Sequence, residues 1–378
     1  MTSTSVSTTS GTSVLTGIFA DVRVQLTRYV YCPLFILGNI GNILNILVFS
    51  REPLRTSVCS IYFLIVSIAN LVSINIGLLT RILSTLDVPD PSRNVAWYCK
   101  GRAYISGLSL TIARHFLCLI AIDRILMTST RASIRQLSSF KIARWILPIS
   151  CLSWAIFYIH TLVGYENNRT GTSCGRQAGF YSTFTTVCTI SIDAIIPIII
   201  MTIFTLLLMK QIRALRLRRE RNAVITIRQV TTVRSQMRTT TTNAISYQDG
   251  RSQDFNGHNT ERRREKQLTR LSSVQVLIYI IFNLPNAVYV VYMLIVTNEK
   301  KTADRSAIES FTSLFVSILT YIYCTLNFYI YTLSSATYRA KTKQIFQQCF
   351  QRRHSTTIQN YQKCLNTFSK IVLKACLL

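Results

Sequence analysis

Seven apolar segments, each long enough to cross a lipid bilayer, limit what this chain of 378 residues can fold into. An α-helix rises about 1.5 Å per residue, so crossing a hydrocarbon core of roughly 30 Å takes about 20 apolar residues. Most helices of soluble proteins are shorter than this. The sequence therefore predicts an all-α membrane protein, a bundle of seven transmembrane helices. The segments cover residues 29–49, 58–80, 103–126, 142–164, 180–209, 271–297 and 308–333.

The charged residues lie mainly between these segments and predict the orientation of the bundle. The chain has 42 Lys and Arg residues, 15 Asp and Glu residues and a net charge of +27. If the N-terminus is extracellular, most of the basic residues lie on the cytoplasmic side, as the positive-inside rule requires. Basic residues at helix ends that face anionic lipid headgroups explain the high charge. We therefore expect the lipid bilayer, and no nucleic acid, as the partner of these charges.

The chain divides into three predicted parts. Residues 1–28 are rich in Ser and Thr, and we expect a disordered extracellular N-terminus. Residues 29–333 form the seven-transmembrane domain, in which residues 210–270 are a long basic third cytoplasmic loop with a helical start and a disordered middle. Residues 334–378 form a cytoplasmic tail, where apolar residues at helical spacing predict a short amphipathic helix on the membrane surface.

Four side chains outside the spans are candidates for covalent modification or cross-linking. Cys99, before the third span, and Cys174, after the fourth, both face the oxidising side in this orientation, so we expect a disulfide between them. The loop that carries Cys174 also contains the sequon Asn168-Arg169-Thr170, which predicts glycosylation of Asn168. Cys349 in the tail is a palmitoylation candidate.

The order and spacing of several motifs resemble those of rhodopsin-like (class A) G-protein-coupled receptors over residues 29–350. Asp123-Arg124-Ile125 resembles the Asp-Arg-Tyr motif at the end of span three and follows Cys99 at the family's usual interval. Asn327-Phe328-Tyr329-Ile330-Tyr331 resembles the Asn-Pro-x-x-Tyr motif of span seven. Further matches are Gly41-Asn42 in span one, Trp154 in span four (with Trp145 as a rival), and Pro197 and Pro285 in spans five and six.

Three departures from the family pattern narrow the resemblance. Asn70 stands where the family has an aspartate of a sodium pocket, Asn283 replaces the span-six tryptophan, and Phe328 replaces the span-seven proline. The Asn-Phe-x-x-Tyr form and the Asn of span two are similar to invertebrate neuropeptide receptors, including FMRFamide-receptor-like ones. We therefore do not expect a sodium-dependent off state or the usual tryptophan switch.

The resemblance implies a function. It implies a plasma-membrane receptor, without cofactor or metal, that binds an extracellular ligand such as a short neuropeptide and activates heterotrimeric G proteins. Receptor kinases and arrestin are the further partners it implies. It also implies that an Arg124–Glu265 pair holds the cytoplasmic side closed, with Asp123, Asn327 and Tyr331 as the other switch residues.

Two ionisable residues within spans, Arg114 and Asp193, call for partners, because an unpaired charge in a membrane is costly. We expect them to form a buried ion pair near Asn283. In the alternative, Asp193 faces a wet cavity and Arg114 binds carbonyl groups. Buried amides also need partners, and we expect Asn42, Asn70 and Asn327 to form a polar network.

The residues near the outer ends of the spans indicate the class of ligand. Span seven has no lysine for a retinal Schiff base, since Tyr321 stands at the matching position, and Ser106 stands where amine receptors have a carboxylate. Charges of both signs on the outer loops favour a polar, peptide-like ligand. The candidate ligand-binding residues are Arg81, Arg102, Ser106, Asn286, Tyr289, Ser317 and Tyr321.

Other functions stay open at this point. A receptor for a different small polar ligand fits the same pattern, and the substitutions Asn283 and Phe328 leave an uncoupled or decoy receptor possible. A transporter or channel is disfavoured, because we find no internal repeat or Gly/Pro-broken pair of spans. An enzyme is disfavoured because no His, Asp and Glu cluster has the spacing of a catalytic site.

Overall fold

The predicted fold class is confirmed by the computed structural model, which describes residues 10–52, 54–85, 95–167, 174–236, 251–296, 299 and 301–353. Within these residues, seven helices are long and apolar enough to cross a membrane. They are numbered spans one to seven and cover Gly17–Phe49, Val58–Leu83, Ala96–Thr128, Phe140–Gly164, Phe180–Leu215, Gln267–Ile295 and Asp304–Ser334.

The secondary-structure elements subdivide these spans and extend beyond some of them. The α-helices are Ser10–Leu26, Cys32–Phe49, Val58–Ser73, Leu79–Thr85, Ala96–Thr128, Ala132–Gln136, Phe140–Tyr158, His160–Gly164, Phe180–Cys188, Ile196–Gln236, Arg251–Ile295, Ala303–Ser334 and Ala336–Arg353. Three π-helices, Thr27–Tyr31, Ile74–Leu78 and Thr189–Ile195, continue the helices on either side of them, and Leu54–Thr56 is a 3₁₀-helix. Strands β1 (Tyr165–Asn167) and β2 (Cys174–Arg176) pair antiparallel.

Span three lies at the centre of the bundle. It packs against spans two, four, five and six, while span seven packs against spans one, two and six. The inner face of span three buries polar and apolar residues alike, among them Arg114, Phe116 and Arg124. The apolar residues of span four instead point outwards, and Leu152 is 62% exposed and Ile156 is 58% exposed. Such side chains suit a lipid environment, where only the backbone must be satisfied internally.

The N-terminal segment differs from the sequence-based expectation. We expected residues 1–28 to be disordered, but Ser10–Leu26 is an α-helix that joins span one through the first π-helix. Phe19 of this helix stacks on Phe311 of span seven, with ring centroids 5.2 Å apart. This packing provides a tertiary contact that helix propensity alone does not reveal. Residues 1–9 lie outside the described part of the chain.

The connection between spans four and five is tied to span three. Cys99 and Cys174 form the expected disulfide, with a Cα–Cα distance of 5.7 Å. The disulfide attaches strand β2 to the first turn of span three, and β2 in turn pairs with β1. Asn168, the predicted glycosylation site, lies outside the described residues.

The helices on either side of the third loop extend further than expected. The helix of span five continues to Gln236, in agreement with the helical start predicted for the third loop. The helix of span six begins at Arg251, within the part of the loop that we expected to be disordered. Residues 237–250 lie outside the description.

The helix after span seven, Ala336–Arg353, agrees with the prediction of a short helix at this place. Its Tyr338 is 2% exposed and donates a hydrogen bond of 2.5 Å to Asn45 Oδ1 in span one. Burial raises the pKa of the Tyr338 phenol well above its usual value. This contact attaches the helix to the bundle. The side chain of Cys349 lies outside the description.

Candidate functional site

An ion pair is buried in the middle of the bundle. Arg114 Nη1 of span three lies 3.0 Å from Asp193 Oδ1 of span five, and the two side chains are only 11% and 13% exposed. The structure thus brings together the two residues that were expected to pair. Separating two such charges leaves one of them buried without its counter-ion, which costs about 3–5 kcal/mol in soluble proteins.

Two hydroxyl groups, which sequence reasoning missed, complete the surroundings of the Asp193 carboxylate. Thr111 donates a hydrogen bond of 2.6 Å to Asp193 Oδ1. The Tyr158 hydroxyl lies 3.3 Å from Asp193 Oδ2 and 2.6 Å from the Thr111 hydroxyl, so its single hydrogen is available to either. The carboxylate therefore connects spans three, four and five through polar contacts.

Span six contacts the backbone of the π-helix that carries Asp193. The Tyr279 hydroxyl donates a hydrogen bond of 3.4 Å to the Asp193 carbonyl oxygen. Asn283 lies one turn further along span six and donates to the Tyr279 carbonyl oxygen at 3.0 Å. Asn283 is thus near the ion pair but is connected to it only through Tyr279.

At one end of the bundle, which we call the Asp-Arg end, Asp123 and Arg124 terminate the inner face of span three. Arg124 is 1% exposed, and its Nε donates a hydrogen bond of 3.2 Å to Asp123 Oδ2. The other carboxylate oxygen of Asp123 accepts a hydrogen bond from the Ser138 hydroxyl. Glu265 lies in the helix of span six, but its side chain is outside the description, so the Arg124–Glu265 pair stays a prediction.

A second polar cluster links spans six and seven near this end. Tyr331 donates a hydrogen bond of 2.8 Å to Gln275 Oε1. Gln275 Nε2 donates to Asn327 Oδ1 at 3.4 Å and to the Tyr323 hydroxyl at 3.3 Å. Gln275 is only 1% exposed. Sequence reasoning missed it, although an amide within an apolar span was a usable signal.

The expected network of Asn42, Asn70 and Asn327 is not formed by direct hydrogen bonds. Asn42 donates to the carbonyl oxygens of Gly38 and Cys324, at 2.8 and 3.1 Å. The Asn70 side chain is fully buried, and neither of its polar atoms has a hydrogen-bond partner within the described residues. Asn327 instead accepts a hydrogen bond from Gln275 of span six.

The opposite end of the bundle, which carries the disulfide, contains a cavity of about 680 Å³. We call it the disulfide-end cavity. Spans one, two, six and seven enclose it, and this volume is typical of a small-ligand site. The described residues that line it are Phe19, Arg23, Tyr31, Arg81, Tyr289, Met293, Lys301, Ser306, Ala307, Glu309, Ser310, Phe311, Ser313 and Leu314.

Two of the seven ligand-binding candidates, Arg81 and Tyr289, line this cavity. Ser106 and Tyr321 are not among the described lining residues. Both approach Gly77 of span two, where an added Cβ atom would lie 3.0 Å from Ser106 Oγ and would clash with the Tyr321 hydroxyl. Arg102 points elsewhere and donates a hydrogen bond of 3.0 Å to the Thr80 hydroxyl.

Asn286 and Ser317 are half-buried in spans six and seven and are not among the described lining residues.

An acidic residue, Glu309, lies on the wall of the disulfide-end cavity. It lies inside span seven and is 7% exposed. Its carboxylate is paired with Lys301, and Arg305 Nε lies 3.3 Å from Glu309 Oε1. Tyr292 donates a hydrogen bond of 3.1 Å to the same oxygen. Glu309 lies in the second turn of this helix, which begins at Ala303.

The remaining aromatic expectation concerns Trp154 of span four and its rival Trp145. Trp154 packs against His115, with ring centroids 5.9 Å apart, whereas its rival Trp145 is 64% exposed. His115 also lies within hydrogen-bond distance of Ser150, with 3.1 Å between Nε2 and Oγ. His115 is therefore a packed, hydrogen-bonded residue, as its isolation in the sequence indicates.

Seven spans, a cavity and disulfide at one end and a buried Asp-Arg pair at the other define a membrane protein of the receptor class. The sequence matches the model of the 7 transmembrane receptor (rhodopsin family) over residues 41–331, more than half of the chain, and the chain belongs to this family. A search of curated proteins gave no significant match. The chain is therefore a multi-pass plasma-membrane receptor for an extracellular ligand that signals through G proteins.

Proposed function

We propose that this receptor binds a short peptide, similar to the ligands of invertebrate neuropeptide receptors, at its disulfide end and activates heterotrimeric G proteins at its Asp-Arg end. The observation that carries the proposal is the disulfide-end cavity. Its walls combine aromatic rings with charged groups such as Arg81 and Lys301. A peptide offers the same mixture of apolar and polar groups, whereas an amine lacks a carboxylate partner at Ser106.

The proposed orientation places the N-terminus outside the cell and the tail in the cytoplasm. The basic third loop, residues 210–270, and the basic tail support it, because positively charged segments are retained on the cytoplasmic side. Asn168 is then accessible to glycosylation and Cys349 to palmitoylation. Ser and Thr residues of the third loop become substrates for receptor kinases, and their phosphates recruit arrestin.

In the proposed switching mechanism, the ligand shifts a pre-existing equilibrium between two packings of the bundle. In the closed packing, Arg124 is paired with Asp123 and with Glu265, and Tyr331 is bonded to Gln275 in span six. Movement of span six away from span three breaks the Glu265 contact and opens a cleft for the G protein. A ligand achieves this only if it binds the open packing more tightly than the closed one.

The proposal is tested by expressing the receptor with a promiscuous G-protein α subunit and measuring calcium release. The cells are exposed in turn to libraries of invertebrate neuropeptides, of amines and of lipids. A peptide that elicits calcium release in these cells, and not in cells with the Arg124→Ala variant at equal surface level, supports the proposal. A response to amines or lipids alone refutes the peptide ligand, and silence with all three libraries favours an uncoupled receptor.

The orientation has its own test. An epitope tag placed before Met1 is stained on intact cells if the N-terminus is extracellular, and a tag after Leu378 is stained only after permeabilisation. The reverse pattern refutes the orientation and leaves the family assignment intact.

A further inference from the structure

We propose that Ser138, in the loop between spans three and four, is phosphorylated by a kinase that recognises basic residues, and that its phosphate releases this loop from Asp123. The loop comprises residues 129–139, and we call it the second loop. The inference goes beyond the proposed function and rests on it only in placing this loop in the cytoplasm, where kinases and ATP are found. A hydrogen bond, a sequence pattern and the local charges carry the argument.

The Ser138 hydroxyl attaches the second loop to the Asp-Arg end of the bundle. It donates a hydrogen bond to Asp123 Oδ1, while Arg124 Nε donates one of 3.2 Å to the other oxygen, Asp123 Oδ2. Asp123 is only 3% exposed. One buried carboxylate therefore holds both the loop and the arginine. The loop is held because a hydroxyl supplies a hydrogen, whereas an ionised carboxylate can only accept one.

The sequence before Ser138 contains the determinant that a kinase of this class requires. Arg135 precedes Ser138 by three residues, in the run Arg135-Gln136-Leu137-Ser138. Kinases select their substrates partly by such charge patterns. Arg135 is exposed, and its Nη1 donates a hydrogen bond of 3.0 Å to the Ser129 carbonyl oxygen of the same loop. Ser139, the next hydroxyl, has Gln136 three residues before it and lacks this determinant.

A kinase reaches the half-buried Ser138 only when the second loop opens, and the structure of the loop allows this. Its helix, Ala132–Gln136, has five residues, and none of them is buried. A segment with few buried contacts opens locally at a small cost in free energy. The hydrogen bond from Ser138 to Asp123 is therefore a contact that competes directly with the kinase for the serine hydroxyl.

Phosphorylation removes the donor and introduces charge. The Ser138 oxygen forms a bond to the γ-phosphorus of ATP, the bond from this phosphorus to the β-phosphate oxygen breaks, and ADP leaves. The hydroxyl proton goes to the catalytic base of the kinase. The product carries a charge of about −1.5 to −2 and has no hydrogen to donate to Asp123. Two anions in contact at a buried carboxylate repel each other strongly, so the loop does not return to Asp123.

The phosphate has a more favourable environment at the start of span four. Ser139 is the N-cap of the helix Phe140–Tyr158, so Ser138 directly precedes the positive end of this helix. Lys141 and Arg144 follow in the first turns and are exposed. Residues 124–165 contain five basic residues and no acidic one. These charges favour movement of the modified side chain away from Asp123 and towards span four.

The site is tested on the full receptor purified in detergent. The receptor is incubated with ATP and the catalytic domain of a calmodulin-dependent protein kinase, which recognises an arginine three residues before the acceptor. Phosphate on Ser138 is followed over time by peptide mass spectrometry. We expect phosphate on Ser138 and a slower reaction, or none, at Ser139. A receptor that stays unmodified at Ser138 overturns the proposal.

Variants test the roles of the arginine and of the carboxylate. Arg135→Gln should slow the modification of Ser138 by about tenfold, because a charge-assisted contact with the kinase is lost. Asp123→Ala should accelerate it by about tenfold, because the hydroxyl is no longer held. If Asp123→Ala does not fold, Asp123→Asn, which removes the charge of the acceptor, should still give a smaller acceleration. Ser139→Ala is the matched control and should leave the rate unchanged. Equal rates in the unsubstituted receptor and the Asp123 variants overturn the proposal.

Release of the second loop is measured by amide hydrogen exchange. The amides of Arg135, Leu137 and Ser138 donate hydrogen bonds within the loop. After phosphorylation, their exchange should become about tenfold faster, because the bond to a charged group that holds the loop is lost. Ser138→Ala lacks the hydroxyl but adds no charge, so it should give a smaller acceleration. Unchanged exchange in the phosphorylated receptor overturns the proposed release.

The detergent experiments depend on neither signalling nor orientation, so their failure is distinguishable from failure of the proposed function. If they give the expected result and the calcium assay is silent, only the proposed function fails. If Ser138 stays unmodified and a peptide elicits calcium release, only the inference about Ser138 fails. Reversed staining of the two epitope tags would place Ser138 outside the cell, away from ATP, and would overturn the inference as well.

Discussion

Two arginines within the spans of this receptor, Arg114 and Arg81, are satisfied in different ways. Arg114 is enclosed in the middle of the bundle and is neutralised by a carboxylate 3.0 Å away. Arg81 faces a cavity of about 680 Å³ and is held by the hydroxyls of two tyrosines. The comparison teaches that the bundle neutralises a charge with its own residues where nothing can enter. Arg81, in contrast, lies on the wall of a cavity that a ligand can enter, and its side chain is exposed.

The largest effect is expected when the ion pair between Arg114 and Asp193 is broken. Asp193→Ala leaves the Arg114 guanidinium buried without its carboxylate, and we expect a loss of about 3–5 kcal/mol of folding stability. The measurement is the fraction of receptor at the cell surface, together with the melting temperature of the purified protein. The charge swap Arg114→Asp with Asp193→Arg should recover part of the loss. Normal expression and stability of Asp193→Ala would show that the pair is not structurally important.

The next largest effect is expected at the Asp-Arg end. We expect Arg124, like Arg114, to be neutralised by acidic side chains of the bundle. Glu265→Ala removes the expected acidic partner of Arg124 and favours the open packing. A hydrogen bond between charged groups contributes about 1.5–3 kcal/mol, so ligand-independent signalling should rise by roughly tenfold or more. Calcium release or GTPγS binding without ligand measures it. Unchanged basal signalling at equal surface level would contradict this pair.

A smaller effect is expected for the neutral contact between spans six and seven. Gln275→Leu removes the acceptor of the Tyr331 hydroxyl and the donor to Asn327. The hydrogen bond to Tyr331 contributes about 1 kcal/mol, and the longer contact of 3.4 Å with Asn327 adds little, so basal signalling should rise by roughly fivefold. The control is Gln275→Glu, which keeps an acceptor for Tyr331 and should give a smaller rise. A basal rise that is equal in both variants would indicate loss of packing rather than loss of this bond.

The smallest effect on stability is expected at Arg81. Because its side chain is exposed to the cavity, Arg81→Gln should cost about 1 kcal/mol of stability or less. The same substitution at Arg114 should cost several times more, since it leaves Asp193 unpaired. Melting temperatures of the two variants in the same detergent measure the difference. Equal losses would mean that Arg81 is a structural residue like Arg114, and the distinction between the two sites would be lost.

Some features follow from local composition and were predictable from the sequence. The seven spans need only about 20 apolar residues each, and every predicted segment coincides with a span of the structure. The partners Arg114 and Asp193 were found because ionisable groups in a membrane are rare and need a counter-ion. The disulfide of Cys99 with Cys174 was found because the predicted orientation places both cysteines on the oxidising side.

Other features depend on packing between distant segments, and only the tertiary structure decided them. The helix Ser10–Leu26 looked too polar to be ordered, but Phe19 packs on a ring nearly 300 residues further along the chain. Gln275 bonds to span seven and replaces the asparagine network that we expected. One π-helix ends at Leu78, shortly before Arg81, and another contains Asp193, and the apolar periodicity of the spans did not predict either of them. Hydrophobic length is a local property of the sequence, whereas the rotation of each helix about its axis is set by the neighbours against which it packs.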